Sequence, residues 1–410
     1  MNAFTKKILS YSSAILLIFL IGSCAEKSNH RISVTNPTDL LINDAFVSLE
    51  IDRGLKTFSL FDEELEIAYQ VLSSNEKKVI SFVLNLNPLE TRTFYLKEEI
   101  TGKAREFKSR TYSELAMKPV DVYIDGKFRG DKFVNVTRLK VPAIHTDHDA
   151  LFKYEGPGWE SELVGYRFYL DWRNANDIFG KKISKLVLAD VGVNDTIAKD
   201  DSYHQMQEWG MDIFKVGSSL GIGSIGMMYD NKVYMVSNTD SIYCEIPENG
   251  PIRSAVKTTY YGWQVGEKKY DLVSNLSITA GSRLTKCEIQ ISNNPDNIVT
   301  GLAKYEGTDF IRNNENAEWA YIALYGNQTL VGPEDKLGIA IFYRRNILLK
   351  ITEDELSYIV ELKPENGKAE YYFCAAWEQE PDGIKNRNEF IKYLDDTMEY
   401  LNNPPIVKID

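Results

Sequence analysis

Apolar and polar residues alternate with a period of two along most of this chain. AFVSLEID, KVISFVLNL, RTFYLKEEI, VDVYIDG and FVNVTRLKV each read as a strand with one apolar face, bounded by Gly, Asn, Asp or Pro. GYRFYLDWR, KLVLADVGV, GSIGMMYDNKVYMV and SIYCEI continue the pattern through the middle. LTKCEIQIS, WAYIALY, LGIAIFY, ILLKI, SYIVELK and AEYYFCAAW carry it to the end. YDNK and IDGK predict tight hairpin turns. A helical period is clear only near the C-terminus. Asn386 and Glu389 have capping-box spacing, Phe390, Tyr393, Leu394 and Leu401 share a face, and NNPP stops the helix. The fold class predicted is all-β: a large antiparallel β-sandwich with a C-terminal helix, the galactose-mutarotase-like form being the candidate arrangement. RTYSELAMKP breaks the strand rhythm near residue 115. The expected division is an N-terminal β-strand region, 37–115, and a main β-sandwich catalytic region, 116–410, either separate or one continuous domain.

The first two dozen residues have a different pattern. Lys6 and Lys7 precede ILSYSSAILLIFLI, an apolar stretch too short and wrongly flanked for a stable membrane span. It ends in IGSC, which resembles a bacterial lipobox. Residues 1–23 are therefore expected to be a lipoprotein signal peptide, and Cys24 the acylated first residue of the mature protein. AEKSNHRISVTN reads as a polar tether over 24–36. Export places the protein in the cell envelope, with the membrane reached through the lipid anchor only, on the outer membrane and facing the periplasm.

Composition narrows the partners. The formal net charge of -12 argues against a nucleic-acid partner, which calls for a basic face. Local Arg and Lys can still hold an acidic ligand. The remaining cysteines, Cys244, Cys287 and Cys374, are far apart, form no CxxC, and sit in strand-like apolar stretches. They read as small buried hydrophobes rather than catalytic thiols.

There are only four histidines. His30 lies in the tether. His145 and His148 sit in AIHTDHDALFKYEGPGWESE beside Asp147, Asp149 and Glu155, and His204 sits in DDSYHQMQEWGMDIFK. Imidazoles with Asp can bind a divalent metal, yet HxxH in a loop matches no strong metal spacing. The same groups can act as general acids or bases near neutral pH, or simply hydrogen-bond within a loop. In GYRFYLDWR, alternation puts Arg167, Tyr169, Asp171 and Arg173 on one face. Such a face is costly inside a sandwich unless it lines a groove or forms an ion-paired network. Trp159 and Glu160 precede it, and Trp209, Asp212 and Lys215 follow in EWGMDIFK. GSSLGIGSIG lacks the GK[ST] ending of a phosphate loop and suits close strand packing.

GPGWESELVGYRFYLDWRNANDIFGK, YHQMQEWGMDIFKVGSSLGIGS and FCAAWEQEPDGI together resemble an envelope lipoprotein family of Gram-negative polysaccharide degraders, domain of unknown function 4861. The resemblance covers nearly all of the mature chain. It implies a role in the breakdown of ulvan, a sulfated rhamnose–uronate polymer, with oligosaccharide dehydration as one associated activity. Water would be eliminated from a non-reducing-end uronic acid (glucuronate or iduronate) to give the 4,5-unsaturated uronate. That makes the protein a hydro-lyase acting on an acidic oligosaccharide. The chemistry needs a partner for the substrate carboxylate, for which Arg167, Arg173, Lys215 or a divalent metal are candidates. It also needs a base for H5 and an acid for the leaving hydroxyl, for which His145, His148, His204 and Tyr166 are candidates. Trp159, Glu160, Tyr169, Asp171, Trp209 and Asp212 complete the expected substrate-binding surface. A polysaccharide lyase and a non-catalytic glycan-binding lipoprotein use overlapping parts and remain the alternatives.

Overall fold

The computed structural model describes residues 29–55, 57–73, 77–98, 106–119, 122–130, 132–192, 202–313 and 317–409. The signal peptide and Cys24 lie outside the described residues. The framework is a nine-stranded antiparallel sheet whose strands run, in order across it, Arg138–Lys140, Ser241–Asn249, Arg253–Val265, Lys268–Thr279, Leu284–Ile291, Lys368–Trp377, Lys336–Arg344, Trp319–Asn327 and Thr308–Arg312. Alternation decides which side chains go where. Val256, Leu272, Ile289, Ile341 and Phe373 face the main core, and Tyr321, Phe342 and Cys374 face a second layer on the opposite side.

Two five-stranded sheets close the main core. One contains Gly226–Tyr229, Ile298–Ala303 and Ser357–Leu362. The other consists of Thr111–Glu114, Gly158–Ser161, Gly165–Phe168, Asn176–Lys181 and Gly210–Asp212. The second layer is the helix Arg387–Asn402, which lays Phe390, Leu394 and Met398 on the big sheet. The Asn386 side chain caps it by accepting from the backbone N–H groups of Asn388 and Glu389. Among the described residues no helix is long and apolar enough to cross a membrane.

The N-terminal strands form a smaller sandwich with its own core of Ile32, Val47, Phe82 and Phe94. Its limits differ from those expected. Asn29–Thr35 is a strand and not tether, because Ile32 and Val34 alternate into that core. It pairs with Thr91–Glu98 on one side and with the C-terminal strand Ile406–Ile409 on the other. Thr111–Glu114 pairs with Gly158–Ser161 and so belongs to the larger unit.

Both predicted hairpin turns form, with φ of 52° and 74° at Asp125–Gly126 and 48° and 58° at Asp230–Asn231. The described part of KLVLADVGV, residues 185–192, is no strand but a run of bends and turns. The Val187 and Leu188 N–H groups bond the Glu160 carboxylate instead of a neighbouring strand. All three described cysteines are free and buried, and burial pushes their thiols up, away from thiolate chemistry.

Candidate active site

The site lies on the sheet that carries Gly165–Phe168. One face of this sheet meets the main core. There Trp159 and Tyr166 are fully buried and stacked on each other, the indole N–H bonds Thr285 Oγ1 at 2.8 Å, and the Tyr166 hydroxyl bonds Arg283 O at 2.7 Å. Both residues are therefore core, and neither can touch a ligand. Glu160 is sealed as well, paired with Lys181 Nζ at 2.8 Å. Expectations of catalysis by Tyr166 and of sugar contact by Trp159 and Glu160 are corrected by this burial. Trp209 packs edge-on against Phe179 at the rim of a third apolar cluster.

The other face gathers the expected charged residues, although the strand ends at Phe168 and Asp171 and Arg173 come from the turn that follows it. Strand register sets Arg167 opposite Asp177, and Asp212 follows on the next strand. Arg167, only 2% exposed, sends Nη2 to Asp177 Oδ2 (2.8 Å), Asp212 Oδ2 (2.6 Å) and the Tyr169 hydroxyl (2.6 Å). The Tyr169 hydroxyl donates in turn to Asp177. Arg173 bonds Asp171 and, at 3.0 Å, Glu155 Oε1, and its guanidinium lies 3.6 Å over the Tyr169 ring. Arg167 Nη1 is buried without a hydrogen-bond partner, 3.6 Å from Glu155 Oε2.

Two arginines thus face four carboxylates: Glu155, Asp171, Asp177 and Asp212. The expectation that Arg167 or Arg173 clamps a substrate carboxylate is corrected here, because protein carboxylates already neutralise both. The same crowding sorts the acids. Burial, and then the Asp212 charge, push the Asp177 carboxyl up. Burial acts upward on Glu155 too, but the Arg167 and Arg173 charges outweigh it and hold that carboxyl below its ordinary range.

Surface histidines stand on both flanks of this cluster. His148 Nδ1 lies 3.1 Å from Glu155 Oε1, and His204 Nδ1 lies 2.9 Å from Asp212 Oδ2. Their side chains are 64% and 36% exposed. A chain of contacts therefore runs from His148 through Glu155, Arg167 and Asp212 to His204, although the histidines are far apart in sequence. A carboxylate beside Nδ1 favours a proton on that nitrogen. His145 is different. It points inward, 1% exposed, with Nδ1 on Asp149 Oδ2 at 2.7 Å and its ring edge-on to Phe152. The HxxH pair does not converge, and among the described residues no group of three or more His, Cys, Asp and Glu could hold a metal ion.

The backbone is shaped for this arrangement. His148, Ala150, Glu155 and Asn174 all have left-handed φ, between 40° and 68°, a cost accepted where geometry is over-determined by its surroundings. Gly156 lets the histidine loop lie against the next hairpin, since a Cβ there would sit 1.9 Å from Phe168 O. The tip of that hairpin exposes Trp172, 48% accessible, beside Arg173. Lys215 is exposed, and its carbonyl accepts from the Tyr305 hydroxyl. Asp177, Tyr203 and Tyr305 join the site unannounced. Arg167 lies over the Tyr203 ring at 5.2 Å, and the Asp177 and Asp212 charges add to burial in raising the Tyr305 hydroxyl. Strand pairing brings in Asp177, while Tyr203 comes from the 3-10 turn Ser202–His204 and Tyr305 from the connection after Ile298–Ala303, and the local pattern carries no trace of any of them.

The fold and site define an all-β protein with a surface histidine–carboxylate pair on each flank of one buried arginine. The chain belongs to the family described as domain of unknown function DUF4861, whose model matches residues 34–407. It is 27% identical to uncharacterized protein P7 of Formosa agariphila, over 95% of this chain and 96% of that one. Among solved structures it is similar to a glycosyl hydrolase family 38 protein of Enterococcus faecalis and to an α-mannosidase of the same species. The TM-score is 0.46 in both cases, with 9% and 10% identity over 93% of this chain. This chain spans 47% and 46% of the length of those two.

Proposed function

We propose that this protein is an oligosaccharide dehydratase that removes water from a non-reducing-end uronic acid of ulvan oligosaccharides, leaving the 4,5-unsaturated uronate. The observation that carries the reading is the pair of solvent-reaching histidines, His148 and His204, each with Nδ1 close to a buried carboxylate of one Arg167-centred cluster. Dehydration needs a base and an acid in one site. One imidazole takes H5, the C5–H electrons form the C4–C5 double bond, and the other imidazolium protonates O4 as the C4–O4 bond breaks. Each proton transfer is worth roughly 10²–10⁴-fold in rate. The exposed Trp172 ring offers a flat surface to a pyranose face. On this reading the chain is a lipoprotein acylated at Cys24.

The test is mass spectrometry of saturated, uronate-ended ulvan oligosaccharides after incubation with the protein. Loss of one water with no chain shortening is the expected result. Shortened chains would make the protein a lyase or a hydrolase. Unchanged mass with retention on a glycan column would leave a binding protein.

A further inference from the structure

The site has a charge problem. Abstracting H5 builds negative charge beside the substrate carboxylate, yet Arg167 and Arg173 are already outnumbered by protein carboxylates. Cations without acidic partners lie close by, on the far border of the histidine loop. Lys118 directly follows the short strand Ala116–Met117, and Lys127 and Arg129 belong to the hairpin strand Lys127–Arg129. Among the described residues none of the three forms an ion pair with a carboxylate, whereas most arginines around the site do.

Backbone hydrogen bonds tie these strands to the loop that carries His148. Phe128 N–H donates to Asp149 O at 2.7 Å, and Lys118 N–H donates to Leu151 O at 2.9 Å. Both bonds end on residues 149–151, so Lys118 and the Lys127–Arg129 strand border the same loop, and burial, then the charges of Arg129 and Lys127, push the Lys118 ammonium down. Lys118 is only 3% exposed, with the Phe133 ring 5.4 Å from Nζ in place of a carboxylate. Like charges held together, one of them buried, are unfavourable unless an anion joins them. Antiparallel pairing sets Arg129 across from Val122 and Lys127 across from Ile124, and both apolar partners are exposed. One face of the hairpin therefore offers cations beside bare apolar surface, which matches a sugar ring bearing an acid group.

We propose that Lys127 and Arg129, with the buried Lys118 adding positive charge behind them, form the subsite that binds the substrate's carboxylate, at the border of the His148 loop. This rests on the dehydratase reading only for the identity of the sugar. The acid group sits against the cations, the ring lies on the Val122 and Ile124 surface, and the reacting carbons extend toward His148.

The test is calorimetric binding of a glucuronate-ended oligosaccharide and of its carboxyl-reduced counterpart, without turnover, to a His204→Gln background. Arg129→Gln changes an exposed side chain and Lys127→Gln a half-buried one with no ion pair among the described residues, so both variants are expected to fold. Each should weaken binding of the acidic sugar roughly tenfold or more and leave the carboxyl-reduced sugar unaffected. Lys118→Met should act in the same direction, with circular dichroism confirming its fold. Equal affinity of the double variant Lys127→Gln/Arg129→Gln and the parent for the acidic sugar overturns the subsite. So does an affinity that falls on desulfation of the oligosaccharide but not on carboxyl reduction. Cation-dependent binding by a wild-type protein that never releases water upholds the subsite and sinks the dehydratase reading. Dehydration at an unchanged KM in the double variant does the reverse.

Discussion

Two buried ion clusters sit on one small sheet, and they are built on opposite principles. Lys181 and Glu160 form a balanced pair. The Lys181 ammonium bonds Glu160, Ser161 O and Lys185 O, while Glu160 accepts the Val187 and Leu188 N–H groups. Both side chains are fully buried. The Arg167 cluster is unbalanced, leaves Arg167 Nη1 without a partner, strains the backbone around it, and reaches the surface through two histidines. A closed, matched pair holds turns in place. Frustration that ends at titratable surface groups is the signature of chemistry.

Breaking the balanced pair should have the largest effect, and on stability. Lys181→Met leaves Glu160 buried without its counter-charge, which costs about 3–5 kcal/mol. Chemical denaturation should show that loss, while the folded fraction keeps ordinary turnover per molecule. A normal denaturation midpoint in this variant would erase the contrast between the clusters.

Next in size is the effect of the histidines, and it falls on rate. His148→Gln and His204→Gln should each lower kcat roughly 10²-fold, equivalent to about 2.7 kcal/mol of transition-state stabilisation. Both side chains reach solvent, so the melting temperature should hardly move. His145→Gln should behave the other way, with lost stability and retained activity, because its ring is inside. Full activity in both surface variants would move the chemistry elsewhere.

Those three histidines also mark how far the sequence could be read. Alternation in GYRFYLDWR grouped Arg167, Tyr169, Asp171 and Arg173, but the strand stops at Phe168, and the turn after it rather than a strand period carries Asp171 and Arg173. It could not say that the opposite face, with Trp159 and Tyr166, meets a nine-stranded sheet and is lost to solvent. HTDH gave two histidines and no orientation. A left-handed residue at His148 turns one outward while Asp149 keeps the other in. Asp177 was hidden because its importance comes from lying across from Arg167 in the sheet. RISVT has an alternating pattern, but its polar surroundings disguised a strand whose partners lie some sixty and nearly four hundred residues away.

The smallest effect is the sharpest test of the comparison, because the two clusters predict opposite signs. Glu155 is held below its ordinary value of 4.5: burial pushes upward, but the Arg167 and Arg173 charges prevail. The folded protein therefore releases that proton more readily than the unfolded chain. Its stabilising contribution is present above pH 4.5 and is lost as pH falls through the depressed value. Glu160 is raised above 4.5, chiefly by burial, with Lys181 acting against it. Its contribution is most favourable below 4.5 and is lost as pH rises through the raised value. Melting temperatures between pH 3 and pH 7 should separate the two. Relative to wild type, Glu155→Gln should flatten the loss of stability on the acid side. Glu160→Gln should remove a term that favours the folded state in acid, so its deficit should grow as pH falls. Parallel curves for the two variants would mean that the carboxylates share one electrostatic environment, and the distinction between a structural pair and a reactive cluster would have no basis in charge.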